Sequence, residues 1–263
     1  MKIGYQALFD FKDAFEAIEF GIEHSFDCVE LNQINPSFLP EKYSAVQRER
    51  LKNYLFPILI HAPESLSLFN THRKVLDATL ERIYEIIDFG REIDAKGITL
   101  HLGSTFTISV GGELIPIHNI LQEYRDALQH SLIKLAEYSD KKIKLCIENT
   151  AGFRYDFSKE VLKNTLETHN LWLTWDIGHT HKIGKTLAQE DEKFFLNFIE
   201  KINEVHLHDN HGEWDEHNVI GTGTIDFKYY FELLKSIDPY FIIEVRPKER
   251  ALESFEALKK FGS

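Results

Sequence analysis

Six short apolar runs in this chain end in side chains that can bind a metal ion or move a proton. They close on His61 in His61-Ala62-Pro63-Glu64, His101 in His101-Leu102-Gly103-Ser104, and Glu148 in Glu148-Asn149-Thr150-Ala151-Gly152. The others close in Asp176-Ile177-Gly178-His179, His206-Leu207-His208-Asp209-Asn210 and Glu244-Val245-Arg246. A further pair, Asp215-Glu216-His217, follows the fifth of these runs. One histidine at the end of an apolar run is ordinarily a hydrogen-bonded structural residue, and a buried glutamate is rarer because an unpaired interior carboxylate is costly. The cumulative pattern carries the inference. The apolar runs otherwise hold almost no metal-capable side chains, and mixed His, Asp and Glu ligands suit zinc, manganese or a similar divalent ion. A cation would also relieve the repulsion among carboxylates converging on one place.

The spacings fit this chemistry. His206 and His208 are two apart, so on a strand they point to the same side. Asp176 and His179 are three apart where a strand would give way to a loop. Asp215 and His217 form a DxH pair, followed by Gly221-Thr222-Gly223-Thr224. Those glycines read as a turn before a helix capped by Thr224 or Asp226.

The elements that must position these groups alternate along the chain. β-Prone runs fall near 2–6, 27–31, 57–61, 97–101, 143–148, 171–176, 203–208 and 240–245. Between them, helical periodicity is clearest over 72–93, with Val75, Leu76, Leu80, Ile83, Ile86, Ile87 and Gly90 on one stripe. It recurs over 120–138 (Ile120, Tyr124, Leu128, Leu132, Leu135, Ala136) and 249–261 (Leu252, Phe255, Leu258, Phe261). Strand-helix alternation implies parallel strands with helical crossovers. Eight repeats in 263 residues match one α/β domain over 1–263, a closed (β/α)8 TIM barrel with its chemistry at the C-terminal strand ends. A doubly wound open sheet would call for a Gly-rich turn after the first strand, where Gln6-Ala7-Leu8-Phe9-Asp10 stands instead.

Composition narrows the partners. The net charge of -12 weighs against a generic nucleic-acid binder, because such binding depends on Lys and Arg neutralising phosphates. The stretch Asn32-Gln33-Ile34-Asn35-Pro36-Ser37-Phe38 carries no Lys or Arg, which would make a poor DNA clamp. Bound cations would offset part of the charge, so DNA is disfavoured rather than ruled out. No run approaches the ~18 apolar residues of a membrane span, and no targeting segment is expected at the N-terminus. Cys28 and Cys146 both lie in apolar runs without a disulfide framework, which fits buried free thiols and a cytoplasmic location.

Taken together, the motifs resemble the xylose isomerase-like TIM barrels, a superfamily that includes sugar and sugar-phosphate isomerases and epimerases and the endonuclease IV type of apurinic (AP) endonuclease, family 2. The resemblance spans essentially the whole chain. Its epimerase branch implies one ion on Glu148, Asp176, a histidine of the 203–208 run and Glu244, with the two glutamates also acting as acid and base. Its endonuclease branch implies three ions: His61, His101 and Glu148 for one; Glu148, Asp176, His206 and Glu244 for the second; His179, Asp215 and His217 for the third. His206 is the favoured histidine of its run and His208 the alternative ligand.

Two reactions follow. In the first, isomerisation or epimerisation of a small sugar or sugar phosphate, a metal polarises a carbonyl and its adjacent hydroxyl, and Glu148 and Glu244 move the carbon-bound proton through an enediolate. Arg154, Lys182, Lys185, Arg246 and Lys248 lie near the expected mouth, and Arg154, Lys182 and Arg246 are the candidate phosphate contacts. Phe106, Trp172, Trp175 and Trp214 are candidates for specificity. In the second, clustered zinc ions generate hydroxide for phosphodiester hydrolysis; the full ligand set favours it, and the charge and short loops favour the first. A barrel that had lost its chemistry and served as a partner module predicts gaps in the ligand set, and none is found. Zn2+ or Mn2+, in one to three ions, is the expected cofactor. Oligomeric state leaves no mark in the sequence.

Overall fold

Runs such as Ile58-Leu59-Ile60 and Leu145-Cys146-Ile147 are apolar on both faces, as strands of a parallel sheet covered by helices must be. In a computed structural model, which describes residues 1–140 and 142–261, they pair accordingly. Among the described residues eight strands close a parallel barrel: β1 (Lys2–Ala7), β2 (Cys28–Asn32), β3 (Ile58–His61), β4 (Ile98–Leu100), β7 (Leu145–Glu148), β8 (Trp172–Asp176), β9 (Ile202–Leu207) and β10 (Tyr240–Ile243). They follow one another round the ring in that order, and β10 pairs with β1, Lys2 opposite Tyr240. The register sets Asp176 opposite His206, which brings two chemistry-bearing side chains level across neighbouring strands. The fold is the expected (β/α)8 TIM barrel, with strand limits shifted by one or two residues. Gly262 and Ser263, at the end of the expected domain, and Lys141 lie outside the described residues.

Helices α1 (Ala14–Glu23), α2 (Ala45–Lys52), α3 (Arg73–Glu92), α4 (Glu123–Ser139), α5 (Asp156–Thr168), α7 (Lys185–Asn197), α8 (Phe227–Leu234) and α9 (Lys248–Phe261) alternate with the strands. α3 buries Leu76, Leu80, Ile83, Ile86, Ile87 and Gly90, as its periodicity requires, whereas Val75 in its first turn is half exposed. Ile120 is also exposed; it precedes α4, at the end of a short 3-10 turn. Phe261, placed on the apolar stripe of α9 from sequence, has a side chain outside the described set.

One element falls outside the barrel plan. After β4, the strands β5 (Thr107–Val110) and β6 (Glu113–Pro116) form an antiparallel hairpin. Its two-residue turn is Gly111-Gly112, both with positive φ, the geometry that matches the twist of a tight hairpin.

The barrel interior is layered. Cys28, Leu59 and Ile242 form an apolar plug towards the N-terminal ends. Above it lies a polar layer in which Thr99 Oγ1 contacts Thr174 Oγ1 (2.7 Å) and donates to Glu204 Oε2 (2.9 Å). Glu30 and Glu204 are both fully buried there. This corrects the expectation that the strands carry almost no ionisable groups below the mouth.

Candidate metal centre at the C-terminal mouth of the barrel

Each strand end turns its terminal side chain inward because alternate residues on a strand share a face. On β9 the series Glu204, His206, His208 faces the interior, and all three are fully buried. On β8 Asp176 faces inward, while Trp175, one residue earlier, stacks on Phe195 of α7 (4.7 Å, 2°). All of the expected ligands from His61 to Glu244 are thereby brought to one mouth. His61, Glu148, Asp176, His179, His206 and Glu244 are buried there, and His101, Asp215 and His217 are partly exposed.

Glu148 is the hub. Its Oε2 lies 2.9 Å from His101 Nε2 and 3.2 Å from His61 Nε2, and its Oε1 lies 3.1 Å from His179 Nδ1. His61 Nδ1 donates to the Ala62 carbonyl (2.9 Å), which fixes the ring orientation and turns Nε2 to the centre. Asp176 divides its oxygens: Oδ1 accepts the His179 backbone N–H (2.5 Å), while Oδ2 is buried without a hydrogen-bond partner. That free oxygen lies 4.0 Å from His206 Nδ1. The same nitrogen lies 3.8 Å from Glu148 Oε2 and 3.8 Å from Glu244 Oε1. His206 Nε2 faces down instead, 3.4 Å from Glu30 and 3.6 Å from Glu204. Gln6 donates to both Glu30 (2.8 Å) and Glu244, tying the polar layer to the mouth.

The rim group hangs on a loop with its own anchor. Asp209 Oδ2 accepts the N–H groups of Gly221 (2.8 Å) and Gly223 (2.9 Å), and Oδ1 accepts those of Asn210 and Ile225. This fixes the loop that carries Asp215 and His217 and delivers the chain to Asp226, which caps α8 by accepting from Tyr229 N. His217 adopts a left-handed backbone (φ +48°), sparsely populated for a residue with a side chain. Its Nδ1 donates to the Glu244 carbonyl (2.7 Å), and its Nε2 turns to Asp215 Oδ1 (3.6 Å). His179 Nε2 lies 3.0 Å from Asp215 Oδ2.

The electrostatics are those of interlocked opposite charges. Burial raises the Glu148 carboxyl, but His101, His179 and His206 outweigh it and hold it well below the usual range. Burial likewise raises Asp176, and His179 and His208 reverse the sign and hold it low. Burial depresses His61, yet Glu30 and Glu148 bring it up to about 9. Glu204 behaves oppositely: burial and the neighbouring Glu30 carboxylate push it up to about 8. The donor set fits a divalent ion on physical grounds, because Asp176 Oδ2, His179 Nδ1 and both ring nitrogens of His206 and His208 are buried with no hydrogen-bond partner among the described residues.

A cavity of about 300 Å³ opens over this cluster, and Arg154, Lys182 and Arg246 line it. Two of these cations also brace the site. Arg154 Nη2 donates to the carbonyls of His179 (2.9 Å) and Asn149 (3.2 Å), and Lys182 Nζ lies 2.5 Å from Asp215 Oδ2. Lys185 begins α7 as an exposed residue, and Lys248 lies over the Phe11 ring, 5.0 Å from its centre. The aromatic candidates scatter. Trp175 is core, Trp172 stands at the N-terminal end of β8 under Lys144, Trp214 is exposed, and Phe106 borders a separate groove beside the hairpin. Sequence reasoning missed Gln6, Glu30 and Glu204. The signal for Glu204 was present, since it continues the two-residue spacing of His206 and His208 backwards along β9.

A parallel eight-stranded barrel whose C-terminal mouth gathers histidines and carboxylates is the class that fold and site define. The chain belongs to the xylose isomerase-like TIM barrel family, whose description matches residues 13–261. It is 31% identical over 274 residues to an uncharacterised protein of Methanocaldococcus jannaschii, covering 99% of this chain and 89% of that protein. It is 25% identical over 227 residues to a probable endonuclease 4 of Aquifex aeolicus, covering 78% of this chain and 76% of that one. The crystal structure of a D-tagatose 3-epimerase-like protein superposes with a TM-score of 0.81 at 28% identity, covering 99% and 97% of the two chains. No helix among the described residues is long and apolar enough to cross a membrane.

Proposed function

We propose that the protein is a metal-dependent isomerase or epimerase of a small sugar or sugar phosphate, with Glu148 and Glu244 as its acid-base pair. The observation that carries this reading is the placement of the two glutamates. Glu148 ends β7 and Glu244 directly follows β10, with β8 and β9 between them in the ring, and both line a cavity of about 300 Å³, at the small end for ligand pockets. Asp176 and His206 sit on the two intervening strands and complete the donor set, and His206 offers Nδ1 to all three carboxylates.

A divalent ion such as Zn2+ or Mn2+ held by Glu148, Asp176, His206 and Glu244 would supply Lewis acidity to a carbonyl and its neighbouring hydroxyl. The residues of the chain do the rest. One glutamate, ionised, takes the carbon-bound proton adjacent to the carbonyl, and the other, protonated, delivers its own proton to that carbon from across the cavity. His61 and His101 hold Glu148 in its ionised form, and Gln6 orients Glu244 from below. Arg154, Lys182 and Arg246 place positive charge where a substrate phosphate would sit. The buried thiols Cys28 and Cys146 fit a reducing, cytoplasmic setting.

Phosphodiester hydrolysis is the second reading. It is favoured by the additional donors beside the central set, His61 and His101 at Glu148 Oε2 and the rim group, which would hold further ions. Incubating zinc- or manganese-loaded protein with a ketose panel and with a duplex containing an abasic site separates the two. New aldose or epimer supports isomerisation, and strand scission supports hydrolysis.

A further inference from the structure

His208 is wholly buried, and neither of its ring nitrogens has a hydrogen-bond partner among the described residues. An imidazole with both nitrogens idle in the interior is costly unless something else engages it. The backbone makes room for the ring: a Cβ on residue 178 would lie 2.1 Å from His208 Cε1, so Gly178 is required there. The ring stacks on His217 (3.9 Å between centres, 18°), and its Nε2 lies 3.5 Å from Asp215 Oδ1. One donor atom each from His179, His208, Asp215 and His217 lie within 4.8 Å of one another. Asp176 Oδ1, which also accepts the His179 N–H, lies 3.3 Å from His208 Nε2, and His208 groups with Asp176 and Glu244 as well, but among the described residues only the rim set gathers four donors. The free oxygen of Asp176 serves the His206 side. His206 turns Nδ1 to the three central carboxylates, and His208, just past the end of β9, is the histidine that joins the rim group.

We propose that His208 is the fourth protein ligand of a rim ion held by His179, Asp215 and His217, and that this site is closed to substrate. Three imidazoles and one carboxylate complete a tetrahedral zinc site with no position for water or substrate, as in structural sites, whereas the carboxylate-rich central set suits an ion of higher coordination number that keeps positions for substrate. Such an ion ties the loop bearing Asp215 and His217 to α6 (Ile177–His181) and β9, and it holds Asp215 on Lys182 at the edge of the cavity. It would take no part in hydrolysis, which needs an open coordination position. The inference rests on the metal-dependent reading above, but not on which substrate the central site turns over.

The test is zinc binding rather than turnover. Chelator-stripped protein is titrated with Zn2+ against a competing chromophoric chelator, and with Co2+ to read coordination from the visible spectrum. The wild type should bind an ion giving intense tetrahedral Co2+ bands. His208→Ala and Gly178→Ala should weaken that ion more than about tenfold, since outer partners of ligands alone are worth roughly 10–100-fold. His206→Ala should leave it in place and remove the central ion. A zinc anomalous map of wild-type crystals decides the matter even if a variant fails to fold: His208 Nε2 should lie about 2.0–2.1 Å from an ion. A rim ion bound with His208 disengaged, or zinc at the centre only, overturns the inference and leaves the isomerase reading standing. No zinc at either position overturns both.

Discussion

Glu148 Oε2 lies 2.9 Å from Nε2 of His101, and neither group faces open water alone: the carboxylate is buried and the imidazole covers its outer side. This contact, with those of His179 and His206, keeps Glu148 ionised inside the barrel, the state the proposed function requires. Glu148→Gln preserves shape and burial but removes the base. Turnover should fall by roughly 10²–10⁴-fold, the usual worth of a positioned acid or base, and Glu244→Gln should behave alike. Circular dichroism checks that both variants stay folded, and initial rates with the active substrate give the loss.

The polar layer beneath the site makes stability depend on pH. Glu204 is pushed up to about 8 by burial and by Glu30, above its ordinary value. The folded metal-free protein thus keeps a proton that the unfolded chain releases, so stability declines as pH rises from about 4.5 towards 8. The raised value of His206 acts in the same direction. Urea midpoints of stripped protein should be lower at pH 8 than at pH 5, and Glu204→Gln should shrink that difference. An unchanged difference would remove Glu204 from this role.

Arg246 lines the cavity while its Nη2 donates to Gln6 Oε1. The same nitrogen lies 3.9 Å from Glu244 Oε1, which puts the guanidinium at the edge of the mouth where an anionic group would enter. If the substrate is phosphorylated, Arg246→Gln should raise KM about tenfold or more, since a hydrogen bond to a charged group is worth roughly 1.5–3 kcal/mol, with a smaller effect on the unphosphorylated sugar. Steady-state kinetics on a matched pair of sugars gives the comparison.

Outside the site, Trp175 and Phe195 lie nearly parallel between β8 and α7, both fully buried. Phe195→Ala should cost about 3–5 kcal/mol through lost burial and the cavity left behind. Urea denaturation at fixed metal content measures it.

The barrel was legible because parallel strands covered on both faces are written as short apolar runs, and the strand-end residues stood out against them. His61, Glu148, Asp176, His206 and Glu244 were found in this way, and the structure brings them together. Glu30 and Glu204 were harder to see. Within Val29-Glu30-Leu31 and Asn203-Glu204-Val205 a single acid looks like the solvent face of a half-buried strand, and only ring closure turns it inward. The β5–β6 hairpin went unrecognised although Gly111-Gly112 marks its turn, because its strands are short and exposed and the alternation of Ile108 and Val110 spans only four residues. Trp175 was set among specificity candidates by residue type, yet its neighbour Asp176 already claims the inward face, which sends the indole to the helices. Spacing does not separate His206 from His208, because both face inward; they differ in their neighbours, with His206 Nδ1 facing three carboxylates and His208 stacked on His217.

The central claim is that two glutamates move a carbon-bound proton over a metal held by the barrel. The most direct measurement is mass spectrometry and NMR of a ketose panel incubated with metal-loaded enzyme in D2O. The account predicts deuterium at the carbon adjacent to the carbonyl in at least one sugar, abolished by Glu148→Gln and by chelation. Scission of an abasic-site duplex, with no deuterium entering any sugar, would contradict it.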